Sequence, residues 1–156
     1  MGKILGVATT LSGKFASQNS TYGSAQRGKP IHTEIIISDK LVKFAFIQKP
    51  DFFIVMDNQG FNKYNNKIGE KTIVFTDLDK VKDIKMDSQE NYISLPASKI
   101  AKEMGLTIGA NFVMLGKFIS ISKIIPLKIV EEAMMQNISE QSIKKNLEAL
   151  RKGYTI

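Results

Sequence analysis

The sequence predicts an α/β fold, a three-layer α/β/α sandwich with a mostly parallel or mixed central sheet and a helix-rich C-terminal third. Three observations predict it. First, Phe52-Phe53-Ile54-Val55-Met56 and Thr72-Ile73-Val74-Phe75 are apolar runs of strand length, each ended by an aspartate. Continuous rather than alternating hydrophobicity marks a strand covered on both faces, as in a parallel sheet between helices. Second, strand-like and helix-like segments alternate through the first two thirds of the chain, and helices dominate the end. Third, 156 residues with 43% hydrophobic side chains suffice for one core. No linker, internal repeat or low-complexity stretch divides it, so residues 1–156 read as a single domain.

Taken in order, residues 2–12 form a helix, because Ile4, Leu5, Ala8 and Leu11 recur at helical spacing and Gly13 is a natural stop. Residues 14–20 form a short strand, and 21–30 a loop by composition. His32 to Ser38 is a strand around the β-branched run Ile35-Ile36-Ile37. After the 52–56 strand, Asn58 is placed to cap a short helix holding Phe61 and Tyr64. The 72–75 strand follows. Residues 77–91 mix acids and lysines and read as an exposed connection. Pro96, after Tyr92-Ile93-Ser94-Leu95, starts a helix that runs to Met104, with Gly105 as its C-cap. Residues 106–109 are a short connection or strand. Helices then cover about 111–123, 126–135 and 139–152, the last capped by Ser139.

Composition excludes several chemistries. With no cysteine, the chain forms no disulfide, thiolate zinc site, iron–sulfur cluster or cysteine nucleophile of its own. No run of about 18 apolar residues is present, so no transmembrane span is expected. The short apolar stretch after Lys3 leads into Thr9, Thr10 and Ser12 and reads as an amphipathic helix rather than an export signal. A cytoplasmic location is expected. The formal charge is +7, carried mostly by dispersed lysines, and arginine stands only at Arg27 and Arg151. Nucleic-acid readers use clustered arginine and exposed aromatics, so no nucleic-acid partner is expected. One local asymmetry stands out: Met1 to Thr33 holds Lys3, Lys14, Arg27 and Lys29 and no acid.

Catalytic residues are not expected. His32 is the sole histidine, without a second ligand at metal spacing, and reads as structural. Ser12-Gly13-Lys14-Phe15 fails as a phosphate loop, because Phe15 stands where a Ser or Thr must hold the metal. Asp57 and Asp77 end apolar strands, where ligands bind in open α/β sheets, but a turn or cap role is the plainer reading. Glu131 and Glu132 read as solvated. Met104, Met114, Met134 and Met135 read as core or interface fillers. The segment Tyr22-Gly23-Ser24-Ala25-Gln26-Arg27-Gly28-Lys29-Pro30 differs in kind. Its glycines permit close backbone approach, and Arg27 offers a fork that fits a phosphate or carboxylate. It reads as an anion-binding loop, a docking loop or a plain structural loop.

The Tyr22-Gly23-x-x-x-Arg27-Gly28 loop, followed by Pro30 and the strand into Ser38-Asp39, resembles the gamma subunits of the 2-oxoacid:ferredoxin (acceptor) oxidoreductases. In that family a Y-G-P-E-x-R-G-G loop precedes a strand ending in S-D. Ser24, Ala25 and Lys29 depart from it. The resemblance continues through Lys49-Pro50-Asp51 into Asp57-Asn58-Gln59, Leu95-Pro96-Ala97-Ser98-Lys99-Ile100-Ala101, Asn111 to Leu115-Gly116, and Asn146 through Ala149 to Gly153-Tyr154. Each motif is weak alone. Five in one order, across nearly the whole chain, are specific.

The resemblance implies a non-catalytic subunit of a complex that oxidatively decarboxylates a 2-oxoacid to an acyl-CoA and passes electrons to ferredoxin or a related acceptor. Thiamine diphosphate, magnesium and iron–sulfur clusters are then expected on the partner alpha and beta, and in some assemblies delta, subunits. Coenzyme A is a substrate of the complex. Its candidate contacts on this chain are Tyr22, Gly23, Gln26, Arg27, Gly28, Lys29 and Asn111, with Lys14 in the same acid-free stretch. The isolated chain is expected to be inactive. Gln26-Arg27 and the short separate chain resemble 2-oxoglutarate-type members slightly more than pyruvate- or branched-chain-type ones. Family members begin with a strand and a glycine-rich turn that this sequence lacks before Met1, so an upstream extension, or a strand from another polypeptide, is expected. The alternative is a stand-alone α/β module that binds a nucleotide or coenzyme A as a monomer.

Overall fold

The computed structural model describes residues 1–20, 31–42, 46–82, 84 and 91–156. The strands of the second apolar group form a three-stranded parallel sheet in the order β3 (Phe52–Val55), β4 (Ile73–Asp77), β5 (Tyr92–Leu95). Val74, Phe75, Thr76 and Asp77 of the middle strand are all buried. The doubly covered strand is therefore β4. In β3 Val55 alone is buried, because that strand has one described neighbour to β4's two. β4 also runs through Thr76 and Asp77, where the sequence predicted its end, since Asp77 still pairs with Leu95.

The first two strands stand apart from this sheet. β1 (Phe15–Ser20) and β2 (Thr33–Ser38) pair antiparallel over six rungs, from Phe15 with Ser38 to Ser20 with Thr33. None of their residues is buried. The expected single central sheet is thus divided, among the described residues, into a parallel sheet and a two-stranded antiparallel ribbon. Ile35 and Ile37 turn toward the core, and helix α1 (Gly2–Leu11) packs on that face and against α5.

Helix ends follow the sequence where glycine sets them. Gly13 has φ +78°, with Gly13 N–H bonded to Thr10 O and Lys14 N–H to Thr9 O. After α3 (Ala97–Glu103), Gly105 has φ +71°, with Gly105 N–H bonded to Lys102 O and Leu106 N–H to Ala101 O. Both are left-handed stops that satisfy the last carbonyls. The connection at 106–109 is not a strand.

Two caps differ from expectation. Helix α2 (Asn58–Tyr64) is capped by Asp57, whose Oδ1 accepts Gly60 N–H at 2.6 Å, while Asn58 Oδ1 accepts Lys82 N–H at 2.8 Å. Ser139 sits at the N-cap of α6 (Glu140–Thr155), but its hydroxyl bonds to Ser142 Oγ rather than to the backbone. The carboxylate outcompetes the amide at the first site, and hydroxyl–hydroxyl pairing replaces a cap at the second.

The centre of the molecule is α4 (Ala110–Ser122). Residues 112–116, 118 and 119 are buried, so this helix is apolar nearly all round and must be covered on every side. On one side Phe118 meets Phe52 and Phe75 edge-on, at centroid distances of 5.3 and 5.8 Å. On another side α6 crosses it at two glycines. A Cβ on Gly116 would lie 2.0 Å from Leu150 O, and one on Gly153 1.9 Å from Val113 O. The backbones touch there. α5 (Leu127–Asn137) contributes Val130, Ala133 and Met134 to the same core. Of the four methionines expected to fill space, Met114 and Met134 are fully buried and Met135 is exposed.

Candidate functional site

The carboxyl ends of parallel strands are the usual ligand crevice of an α/β sheet. Here they are filled by the protein's own groups. Asp77 Oδ2 accepts Ser98 Oγ–H at 2.5 Å, and its Oδ1 accepts the amides of Ser98 and Asp79 at 3.3 and 3.2 Å. Asp79 Oδ2 accepts Lys99 N–H at 2.7 Å. Two carboxylates thus satisfy the first amides of α3, where the helix dipole favours negative charge. With Asp57 committed to α2, both strand-end aspartates have cap and turn roles. Val81, inside the connection expected to be exposed, is buried beneath this turn, with its amide bonded to Asp77 O.

A shallow groove of about 370 Å³ lies at the opposite end of the sheet, between residues 49–51 and 69–72. It opens at the amino ends of β3 and β4, where Thr72 Oγ1 donates to Pro50 O at 2.7 Å and accepts Gly69 N–H at 2.9 Å. Those bonds close a turn and leave no convergent set of donors. No group of three or more His, Cys, Asp or Glu able to hold a metal gathers among the described residues. Nor is any described helix long and apolar enough to cross a membrane.

Six of the expected contact residues, Tyr22, Gly23, Gln26, Arg27, Gly28 and Lys29, lie outside the described residues. Both ends of their segment are described. Its root is the last rung of the β1–β2 ribbon, where Ser20 Oγ and Thr33 Oγ1 are 3.0 Å apart and Gln18 Nε2 donates to Ser20 Oγ at 2.9 Å. Thr33 also packs on the start of α1, since a Cβ on Gly2 would come within 2.6 Å of its methyl group. Next to Thr33, His32 Nδ1 lies 2.7 Å from Tyr64 Oη, with the rings 4.4 Å apart. Lys67 then forms an ion pair with Glu34 and donates to Ile47 O at 3.2 Å. His32 packs against Tyr64 here. The partners Tyr64 and Lys67 carry no sequence signal for this role, because 32 and 33 residues separate them from His32 and Glu34.

Lys14 must be removed from the expected anionic contact. It stands at the other end of the ribbon, beside the Phe15–Ser38 rung, roughly 20 Å from Ser20 at strand rise. There its ammonium is paired with Asp39. The remaining expected contact, Asn111, is the second residue of α4. Its Oδ1 is buried with no hydrogen-bond partner, and the same holds for Asn146 Oδ1 on α6. Glu131, expected to be solvated, is mostly buried and accepts Arg151 Nε–H at 2.6 Å. That bond raises the Arg151 pKa above its ordinary value, with the carboxylate charge as the second cause.

With the geometry in place, comparison with known proteins identifies its kind. The family model for pyruvate ferredoxin/flavodoxin oxidoreductase matches residues 1–156. The chain belongs to that family. Within it, the chain is 34% identical over 158 residues to the 2-oxoglutarate synthase subunit KorC of Methanocaldococcus jannaschii, spanning 99% of this chain and 84% of the relative. The fold matches the gamma subunit of the keto/oxoacid ferredoxin oxidoreductase of Geobacter sulfurreducens, with a TM-score of 0.82, 24% identity, and coverage of 98% of this chain and 86% of that one. It also matches the pyruvate oxidoreductase subunit PORC of Thermotoga maritima, with a TM-score of 0.76, 26% identity, and coverage of 98% and 85%. The gamma-type architecture expected from motif order is therefore present. Two stretches that carried the resemblance to this oxidoreductase family, Leu115-Gly116 and Ala149 to Gly153-Tyr154, turn out to be the two faces of one helix crossing.

Proposed function

We propose that this chain is the gamma subunit of a multisubunit 2-oxoacid:ferredoxin (acceptor) oxidoreductase, with 2-oxoglutarate as the oxoacid. The observation that carries this reading is the end-to-end match to an oxidoreductase family and to a 2-oxoglutarate synthase subunit. The similar PORC fold leaves pyruvate as the competing substrate. The chain's contribution is structural: a rigid α/β body that docks on catalytic alpha and beta subunits in the cytoplasm. Thiamine diphosphate and magnesium belong to those partners. So do the iron–sulfur clusters, because a chain without cysteine offers no thiolate to iron.

The 21–30 segment, with Arg27 as its bidentate cation, supplies a contact to the anionic part of coenzyme A. Tyr22, Gly23, Gln26, Gly28 and Lys29 form the rest of that contact. Asn111 supports it from α4, where a buried carbonyl oxygen awaits a donor. The test is a substrate panel on the purified complex with an artificial acceptor. Turnover with 2-oxoglutarate should exceed that with pyruvate and branched-chain oxoacids by at least about tenfold, the low end of what binding differences between similar substrates supply. Fastest turnover with pyruvate would overturn the substrate assignment. For the anionic contact, Arg27→Ala should raise the apparent KM for coenzyme A, and an unchanged value would remove Arg27 from the site.

A further inference from the structure

Ile108 is 83% exposed, more than any other large hydrophobic side chain among the described residues. It stands in the tight connection between α3 and α4, where Leu106 turns inward onto the core and Gly109 is buried. A lone exposed isoleucine is ordinary on a protein surface. This one is set beside two cations. Gly105 N–H bonds to Lys102 O, and a Cβ on Gly105 would lie 3.9 Å from Lys145 Nζ. Lys102, from the last turn of α3, and Lys145, from α6, thus flank the connection that presents Ile108. The carbonyl end of α3 draws both ammoniums there. Both lysines are exposed, and neither belongs to an ion pair among the described residues. Little acid stands near in sequence: from Asn91 to Val130 Glu103 is the only one, against Lys99, Lys102, Lys117, Lys123 and Lys128. An apolar centre with a polar rim is the anatomy of a protein–protein contact, and a rim of cations calls for carboxylates opposite.

We propose that this corner, Ile108 flanked by Lys102 and Lys145, docks one of the larger chains of the complex at an apolar socket rimmed by carboxylates. The inference rests on the reading that the chain is a subunit of a multisubunit oxidoreductase. It adds the face by which the subunit binds and the chemistry of the surface opposite. A second copy of the chain fits badly, because a two-fold contact brings the same patch from both sides and sets cations against cations. A polyanion such as nucleic acid would meet the lysines and leave the isoleucine in water.

The experiment uses the full complex, purified through a tag on this chain. Its variants are Ile108→Asp, the pair Lys102→Glu with Lys145→Glu, and Met135→Asp as a control on α5, where the side chain is 57% exposed. All four side chains face solvent, so the substitutions keep the fold, and the Tm of each purified variant checks it. Recovery of the larger chains should fall at least about tenfold with Ile108→Asp and with the lysine pair, the scale of one interface anchor. Met135→Asp should recover them at the wild-type level. Retention by the wild-type chain should weaken as salt rises. Full recovery with both corner variants would overturn the docking corner and leave the subunit reading intact. An equal loss in Met135→Asp would overturn the assignment to this corner. If the wild-type chain brings down no larger chain, the subunit reading fails and the docking corner with it. A wild-type dimer that the corner variants split would give the corner to a second copy and overturn the proposal.

Discussion

The α4–α6 crossing and the β1–β2 ribbon hold their places by opposite means. At the crossing, two glycines let backbones touch, and Val113, Met114, Leu115, Ala149 and Leu150 are all fully buried. At the ribbon no residue is fully buried; Ile35 and Ile37 rest on the core beneath α1, and polar ties hold both ends: Lys14–Asp39 at one, Ser20–Thr33, Tyr64–His32 and Lys67–Glu34 at the other. Close packing is intolerant of one added carbon, whereas polar ties at a partly wet surface are each worth little and fail singly.

Substitutions can break or sharpen that contrast. The largest effect belongs to Gly153→Ala, whose methyl group would sit 1.9 Å from Val113 O. It should cost about 3 kcal/mol or more in chemical denaturation, because a backbone cannot move aside as a side chain can. A loss under about 1 kcal/mol would show that the helices separate freely. Next is Leu115→Ala at a fully buried position, expected to cost about 3 kcal/mol. Asp77→Ala removes the acceptor for Ser98 and Asp79 and should cost about 1–2 kcal/mol, visible as a lower Tm. Arg151→Ala should lower the Tm more than Lys14→Ala does, because it leaves the mostly buried Glu131 carboxylate without its donor. The raised pKa of Arg151 keeps it charged at every working pH, so the Arg151 guanidinium lends no pH dependence to the Glu131 pair. Lys14→Ala should change stability by no more than about 0.5 kcal/mol, since Asp39 is 83% exposed, and should leave the KM for coenzyme A unaltered.

Most of the architecture was legible because local chemistry set it. Gly13 and Gly105 stop helices by adopting positive φ, and apolar runs of strand length became β3 and β4. What escaped was set at a distance. That β4 rather than β3 is covered on both sides depends on strand order, which periodicity does not encode. Lys14 looked like a companion of Arg27 by linear charge, but the ribbon carries it to the opposite end and Asp39 neutralises it. Asp57 displaced Asn58 as the cap because one residue of register decides which side chain faces the free amides. The ties at Tyr64 and Lys67 join segments more than thirty residues apart, and no local pattern announces them. For the candidate site, motif order pointed to the 21–30 segment and Asn111, of which only Asn111 lies within the described residues.

The most direct measurement is native purification of the chain from its source cells, followed by mass spectrometry of what accompanies it and assay of the pooled material. A gamma subunit should elute in a complex with larger cysteine-rich, thiamine-binding chains, and that complex should reduce an artificial acceptor only when both a 2-oxoacid and coenzyme A are supplied. A lone 17.4-kDa monomer, free of such partners and inert in the assay, would contradict the account.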